Sequence, residues 1–116
     1  MIQGVHHFAI IVSSEKSISF YERFGFSVFK RIERHYDTVV LLCGHGIQIE
    51  MFVDATHPPK SSPEPLGIRH LALKVDSIEK TVKELGLEAG EIMKDWVGVN
   101  FCFIVDLDGN KLELYE

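Results

Sequence analysis

The chain has 116 residues, of which 46% are hydrophobic, 25% are charged and 10% are aromatic. This is an ordinary globular composition that excludes a disordered, collagen-like or disulfide-scaffold chain, and the length suffices for one hydrophobic core. The net charge of −5 and the lack of any basic run argue against nucleic acid as a partner, because its phosphates would be repelled overall. We therefore predict a single domain, residues 1–116, with no nucleic-acid partner.

The sequence carries no signal for export or membrane insertion. Residues 1–7 hold no cationic segment ahead of the first short apolar run, and no stretch approaches the roughly 18 apolar residues of a membrane span. We expect a cytoplasmic protein with no membrane partner. The two cysteines, Cys43 and Cys102, lie in apolar, strand-like surroundings and are expected to be reduced and buried.

The first half of the chain predicts a strand, a helix and three further strands. Residues 7–12 form an apolar run of strand length. Ser14 is expected to cap a helix, and Gly25 is expected to end it in the left-handed conformation. The predicted buried face of this helix carries Ile18, Tyr21 and Phe24. Strand-like segments follow at residues 26–32, 38–43 and 47–53.

All four prolines lie between residues 58 and 65, in a polar segment near the middle of the chain. This composition is typical of a linker. We therefore divide the domain into module 1 (about residues 1–56), a proline-rich linker (57–66) and module 2 (about residues 67–116).

The second half repeats the same order of elements. A strand is predicted at residues 70–75, followed by a helix with Asp76 as N-cap and Glu79 at the capping-box position. Gly86 is expected to end this helix, whose apolar face carries Ile78, Val82 and Leu85. The remaining strands are predicted at residues 91–94, 99–105 and 111–115. The prediction is therefore an α+β fold made of two βαβββ modules.

The two modules match each other at a constant offset of 63 residues. Residues 5–12 align with 68–75, and residues 46–52 align with 109–115. The offset pairs His7 with His70 and Glu50 with Glu113, so that each His precedes its Glu by 43 residues.

The repeat could be purely architectural, with two modules burying one shared sheet surface. That explanation leaves open why a His and a Glu recur among apolar neighbours, where burying each group unpaired would cost several kcal/mol. A divalent cation removes this cost, because neutral imidazoles and ionised carboxylates are its ligands and two carboxylates balance its charge. The matched quartet therefore favours a metal site.

The sequence resembles the vicinal oxygen chelate superfamily, which includes glyoxalases, bleomycin resistance proteins and extradiol dioxygenases. Within it, the chain is similar to the small bacterial glyoxalase-like proteins of the YaeR type. The resemblance covers nearly the whole chain and is carried by the segments His7-x-Ala9-Ile10-x-Val12, Phe20-Tyr21, Phe24-Gly25-Phe26, Ile49-Glu50-Met51-Phe52, Arg69-His70-Leu71-Ala72-Leu73-x-Val75-Asp76 and Asp106 to Tyr115.

The resemblance implies a glyoxalase fold, in which tandem βαβββ modules form a cup-shaped sheet around one metal ion. Its ligands would be His7, Glu50, His70 and Glu113. His6 is expected to be structural or exposed, because successive strand side chains point to opposite faces. The remaining histidines have no counterpart under the repeat and are expected at the surface: His35, His45 and His57.

Four nitrogen and oxygen ligands with two open positions suit Ni, Co, Mn or Fe as a divalent ion, with Zn also possible. Such an ion can hold two neighbouring oxygens of a small-molecule substrate and stabilise an enediolate formed by proton abstraction. In glyoxalases the second-module Glu removes the proton, so the resemblance makes Glu113 the candidate base and Glu50 a ligand or an acid on the opposite face. The expected activity is that of a metal-dependent lyase or isomerase similar to lactoylglutathione lyase.

Three alternatives to this activity stay open. A metal-dependent transferase of the fosfomycin-resistance type commonly carries Thr two residues after the first His, where this chain has Ala9. A metal-free binding module of the bleomycin-resistance type has generally lost the ligands that are present here. A dioxygenase usually has a His, His, Glu triad within a longer chain.

Two further expectations concern the surroundings of the site. Trp96 could form a pocket wall, although a place in the core or at a dimer contact is the commoner role of a single Trp. A homodimer is expected, because an open sheet of this kind leaves strand edges and apolar surface exposed.

Overall fold

The computed structural model describes all 116 residues, which form two compact units, Met1–Pro59 and Lys60–Glu116. Each unit contains one helix and a four-stranded sheet in the order βαβββ. The predicted α+β class with two βαβββ modules is therefore confirmed.

In the first unit, the first and last strands are neighbours. The sheet order is β1-β4-β3-β2, in which β1 pairs parallel with β4 and the other pairs are antiparallel. The elements are β1 (His7–Val12), α1 (Lys16–Glu22), β2 (Ser27–Glu33), β3 (Thr38–Gly44) and β4 (Ile47–Val53).

The ends of α1 differ from the predicted ones by one or two residues. Glu15 is the N-cap residue, and Ser14 lies just before it, where its side-chain oxygen accepts a hydrogen bond from the Lys16 N–H at 3.1 Å. Phe24 is buried but lies beyond the last helical residue, and Gly25 follows it with a φ of 91°. The predicted N-cap is wrong by one residue, because the chain enters the helix through a tight turn held by backbone hydrogen bonds.

A two-residue turn of His45 and Gly46 joins β3 to β4, and both residues have positive φ. Such turns match the twist of the strands that they connect. The His45 Nε2 lies 2.5 Å from the Phe24 carbonyl oxygen, and its ring packs edge-on against Phe26. This exposed histidine therefore ties the hairpin to the end of α1.

The second unit repeats this topology with the sheet order β5-β8-β7-β6 and a parallel pair of β5 and β8. Three of its four strand predictions, residues 70–75, 91–94 and 99–105, are one or two residues longer than the observed strands. The elements are β5 (His70–Lys74), α2 (Ile78–Leu85), β6 (Met93–Lys94), β7 (Asn100–Val105) and β8 (Lys111–Tyr115).

Ser77, and not Asp76, is the N-cap of α2. Its side-chain oxygen accepts a hydrogen bond from the Lys80 N–H at 3.2 Å, while Asp76 instead accepts one from the Ser77 N–H. With this cap, Glu79 is one residue too early for a capping box. Gly86 ends the helix in the left-handed conformation, as predicted.

One face of each sheet forms the core of its unit. On this face the buried strand residues are Val12, Val40, Leu42, Ile49 and Met51 in the first unit and Cys102, Ile104, Leu112 and Leu114 in the second. Burial raises the pKa of the Cys102 thiol. The other cysteine, Cys43, is exposed, so its predicted burial is wrong: it lies on the sheet face opposite the core.

Trp96 is also not a core residue, because 96% of its surface is exposed in the turn between β6 and β7.

No helix in the structure has the length and apolar character needed to cross a membrane.

Candidate metal-binding residues

In the first unit, the pairing of β1 with β4 brings His7 and Glu50 together. Ala9 lies directly beside Glu50 in the parallel register, and His7 is two residues before Ala9 on the same face. The His7 Nε2 lies 3.7 Å from the Glu50 Oε2, and both side chains remain partly exposed.

The second unit builds the same arrangement from His70, Ala72 and Glu113. Ala72 lies beside Glu113 in the register of β5 and β8. The His70 Nε2 lies 2.5 Å from the Glu113 Oε2, closer than the corresponding atoms of the first pair. The Glu113 side chain is only 13% exposed, compared with 32% for Glu50.

These two pairs fit the chemistry of a divalent ion. Each pair offers one imidazole nitrogen and one carboxylate oxygen. The structure thus brings the predicted ligands together as two pairs, and it contains no group of three or more His, Cys, Asp or Glu side chains arranged for a metal ion.

A cationic side chain that sequence reasoning missed lies near the first pair. The Arg34 guanidinium stacks 4.5 Å from the Tyr36 ring centre and 5.5 Å from that of Phe52, which shares the sheet face of Glu50. Asp37 accepts two hydrogen bonds from Arg34 and, with a smaller contribution from Glu50, keeps the Arg34 pKa above its usual value. An Arg two residues before a Tyr is the only sequence signal for this contact.

Aromatic rings surround the second pair. The Phe103 ring packs 5.2 Å from the His70 ring, with Phe101 5.7 Å farther along the same face. Tyr115 donates a 2.6 Å hydrogen bond to Asp95, which raises the Tyr115 pKa. The second pair therefore lies beside aromatic rings and is less exposed than the first.

His6 is exposed, as expected, although not for the reason given by the strand pattern. This residue precedes β1, so the alternation of strand side chains does not apply to it. Its Nδ1 lies 2.8 Å from the Nδ1 of His7. The other three histidines are exposed, as expected from their sequence context: His35, His45 and His57.

Comparison with known proteins identifies the family to which the chain belongs. Residues 4–114 match the model of the glyoxalase, bleomycin resistance protein and dioxygenase superfamily. The chain belongs to this superfamily. Among its members, protein YwkD of Bacillus subtilis (strain 168) is 39% identical and aligns over 100% of this chain and 98% of its own length. YaeR of Escherichia coli (strain K12) is 34% identical, with 99% and 97% covered, which confirms the likeness to the YaeR type.

Solved structures of the superfamily confirm the glyoxalase fold. A glyoxalase family protein from Enterococcus faecalis has a TM-score of 0.89 and 33% identity, with 98% of each chain covered. Two more distant structures share the fold alone. The fosfomycin resistance protein FosX of Listeria monocytogenes, complexed with Mn(II) and a dihydroxypropylphosphonic acid, has a TM-score of 0.75, 17% identity and 99% and 92% coverage. Lactoylglutathione lyase from Agrobacterium tumefaciens has a TM-score of 0.68, 16% identity and 99% and 94% coverage.

Proposed function

We propose that this protein is a metal-dependent lyase or isomerase that acts on a small substrate with two neighbouring oxygens. The observation that supports the proposal most directly is the repeated pair of imidazole and carboxylate groups, His7 with Glu50 and His70 with Glu113, built by the same parallel register in both units. The superfamily includes a lactoylglutathione lyase and an Mn(II)-bound fosfomycin resistance protein with this fold.

In this proposal the four side chains hold one divalent ion, within one chain or shared between two copies. Two carboxylates balance the 2+ charge, and neutral imidazoles complete the set. Ni, Co, Mn, Fe and Zn all accept such ligands. When bound, the ion supplies Lewis-acid stabilisation to negative charge on the neighbouring oxygens of the substrate.

Glu113 is the proposed general base. Its side chain is the less exposed of the two carboxylates, and a shielded carboxylate next to apolar rings exchanges protons with substrate more readily than with bulk water. It would remove the proton from the carbon next to the substrate carbonyl, and His70 would orient the carboxylate. Glu50, which is more exposed, would act as a ligand or would return the proton on the opposite face.

The surrounding side chains support a small-molecule substrate. Phe101 and Phe103 offer an apolar surface beside the second pair, which suits the carbon skeleton of a small hydroxycarbonyl compound. The two free cysteines agree with the reducing environment of the cytoplasm, where we place the reaction.

Deuterium exchange tests this proposal before the natural substrate is known. Dihydroxyacetone and the hemithioacetal of methylglyoxal with a small thiol would be incubated in D₂O with the protein and Mn(II), Co(II), Ni(II) or Zn(II), and exchange at the α-carbon followed by NMR. We expect metal-dependent exchange that falls by at least roughly 10²–10⁴-fold in Glu113→Gln, because this substitution removes a general base with about that contribution and also one of the four proposed ligands.

Glu79→Gln is the matched control, because Glu79 lies exposed on α2 and should leave exchange unchanged. Exchange that persists fully in Glu113→Gln would contradict the assigned base. Tight substrate binding without exchange under any metal would instead identify a binding module.

A further inference from the structure

The rings of His6 and His7 contact each other through their Nδ1 atoms. The two nitrogens are 2.8 Å apart and the ring planes meet at 83°. This is a hydrogen-bond distance, so one of the two nitrogens must carry the shared hydrogen. The proposed function gives His7 a role as ligand and leaves His6 without one.

The position of the shared hydrogen depends on the surroundings of the second ring nitrogen of His7, Nε2. A neutral imidazole carries one hydrogen, on either Nδ1 or Nε2. With the hydrogen on Nε2, His7 would direct it toward Glu50, whose Oε2 is 3.7 Å away and too far to accept it. With the hydrogen on Nδ1, His7 donates to His6, and its Nε2 keeps the lone pair that a metal ion requires.

We propose that His6 is a positioning residue that accepts this hydrogen bond and holds His7 in the tautomer that can bind a metal ion. This inference rests on the proposed role of His7 as a ligand. Histidine ligands typically donate their second ring N–H to a neighbouring acceptor, which fixes the tautomer and the ring orientation. His6 supplies such an acceptor from the adjacent position in the chain.

The second unit has no histidine in the corresponding position. The residue that corresponds to His6 under the 63-residue offset is Arg69, whose guanidinium binds Glu64 at 3.1 to 3.2 Å. The His70 Nε2 lies 2.5 Å from the Glu113 Oε2. No imidazole directly precedes His70 in the chain, so His70 lacks the partner that His6 offers to His7.

The first test measures the His7 tautomer in the metal-free protein by correlating ring nitrogens with ring hydrogens in ¹H–¹⁵N NMR spectra. We expect the Nδ1–H form in the wild-type protein and a loss of this preference in His6→Phe, which keeps a ring but has no acceptor. His6→Gln should restore the preference, because its side-chain carbonyl can accept the bond. The same tautomer in His6→Phe as in the wild type would overturn the proposal.

The second test titrates Co(II) into the same variants. We expect His6→Phe to bind roughly 10–100-fold more weakly, the usual effect of losing a partner of a ligand, and His6→Gln to stay within about threefold of the wild type. The saturated visible spectrum should be the same in all three proteins. Arg69→Gln is the matched control in the second unit and should bind Co(II) like the wild type.

Unchanged affinity in His6→Phe would overturn the proposal, and so would an altered Co(II) spectrum, which would make His6 a ligand itself. Failure of the wild-type protein to bind Co(II) at all would refute the proposed function. The NMR measurement needs no metal and would still decide how His6 and His7 share their hydrogen.

Discussion

Two residues near the first pair bear on the choice of substrate. In glyoxalases that use glutathione, the resemblance implies an Arg four residues after the first ligand and an Asn four residues after the first Glu, where this chain has Ile11 and Asp54. Ile11 lies on the same sheet face as Glu50 and is 45% exposed. Asp54 accepts two hydrogen bonds from Thr56, which keep the pKa of its carboxyl below the usual value.

We therefore expect the glutathione hemithioacetal of methylglyoxal to be a poor substrate. A lost charge-assisted hydrogen bond to a substrate carboxylate costs about 1.5–3 kcal/mol, and the Asp54 carboxylate adds repulsion. Steady-state assays with Ni(II), Co(II), Mn(II) and Zn(II) in turn would check this. A kcat/KM near ~10⁶ M⁻¹s⁻¹ would contradict the prediction and leave the proposed metal ligands untouched.

The sequence pointed to the four residues that form the two pairs, but not to the side chains that surround them. His7, Glu50 and their counterparts could be found because the internal repeat places the same residue type twice in apolar strands. The contact between His6 and His7 depends on where β1 begins, and periodicity does not fix that to one residue. The stacking of Arg34 depends on a loop conformation, for which the sequence carries almost no signal.

At the scale of elements, Glu116 connects the start of α2 to the end of the second sheet. Its carboxylate accepts hydrogen bonds from the Ile78 N–H at 2.9 Å and from the Asn100 side chain at 3.1 Å. Both bonds favour the ionised form and keep the Glu116 pKa below the usual value. An anion at a helix N-terminus also interacts favourably with the helix dipole.

We expect Glu116→Gln to lower the free energy of unfolding at pH 7. Because the folded pKa is lowered, the contribution of Glu116 is fully present above the ordinary carboxyl pKa of about 4.3 and is lost as the pH falls through the folded pKa. The two proteins should therefore converge in stability under acid. Urea denaturation between pH 7 and pH 3 measures this, and a difference that is constant over the range would contradict the assignment.

Ser17, in α1, is the second residue for which we predict an effect on stability. It is fully buried, and its hydroxyl has no hydrogen-bond partner. We expect Ser17→Ala to raise the free energy of unfolding by about 1 kcal/mol, because burying an unpaired hydroxyl is costly. Ser19→Ala is the control for helix propensity, at an exposed position of the helix where the hydroxyl donates a hydrogen bond to the Lys16 carbonyl oxygen. Equal effects of the two substitutions would trace the gain to helix propensity alone.

The elements were predicted well where the pattern was strongest. Three strands begin and end at the predicted residues: His7–Val12, Ile47–Val53 and Lys111–Tyr115. The caps of both helices shifted by one residue, because Ser14, Asp76 and Ser77 all bind backbone N–H groups near a helix start and the sequence does not show which one becomes the cap. The exposed face of β3 that carries Cys43 was also missed, since an apolar run does not show which sheet face is covered.

At the scale of the whole molecule, β2 is one of the two edge strands of the first sheet, and every one of its residues is exposed. Three of these residues are large and apolar: Val28, Phe29 and Ile32. An open apolar edge of this kind is commonly covered by another chain. We therefore expect a homodimer, which light scattering would show as twice the chain mass at micromolar concentration. A monomer mass at this concentration would contradict it.

The central claim is that His7, Glu50, His70 and Glu113 together hold one divalent ion. Elemental analysis of protein purified without an affinity tag and supplied with divalent metals tests it most directly. The claim predicts one ion per chain in the wild type and the loss of most of it in His7→Ala and in Glu113→Gln, while His57→Ala and Glu79→Gln, both at exposed positions, keep it. Stoichiometric metal retained by both ligand variants, or none in the wild type, would contradict the account.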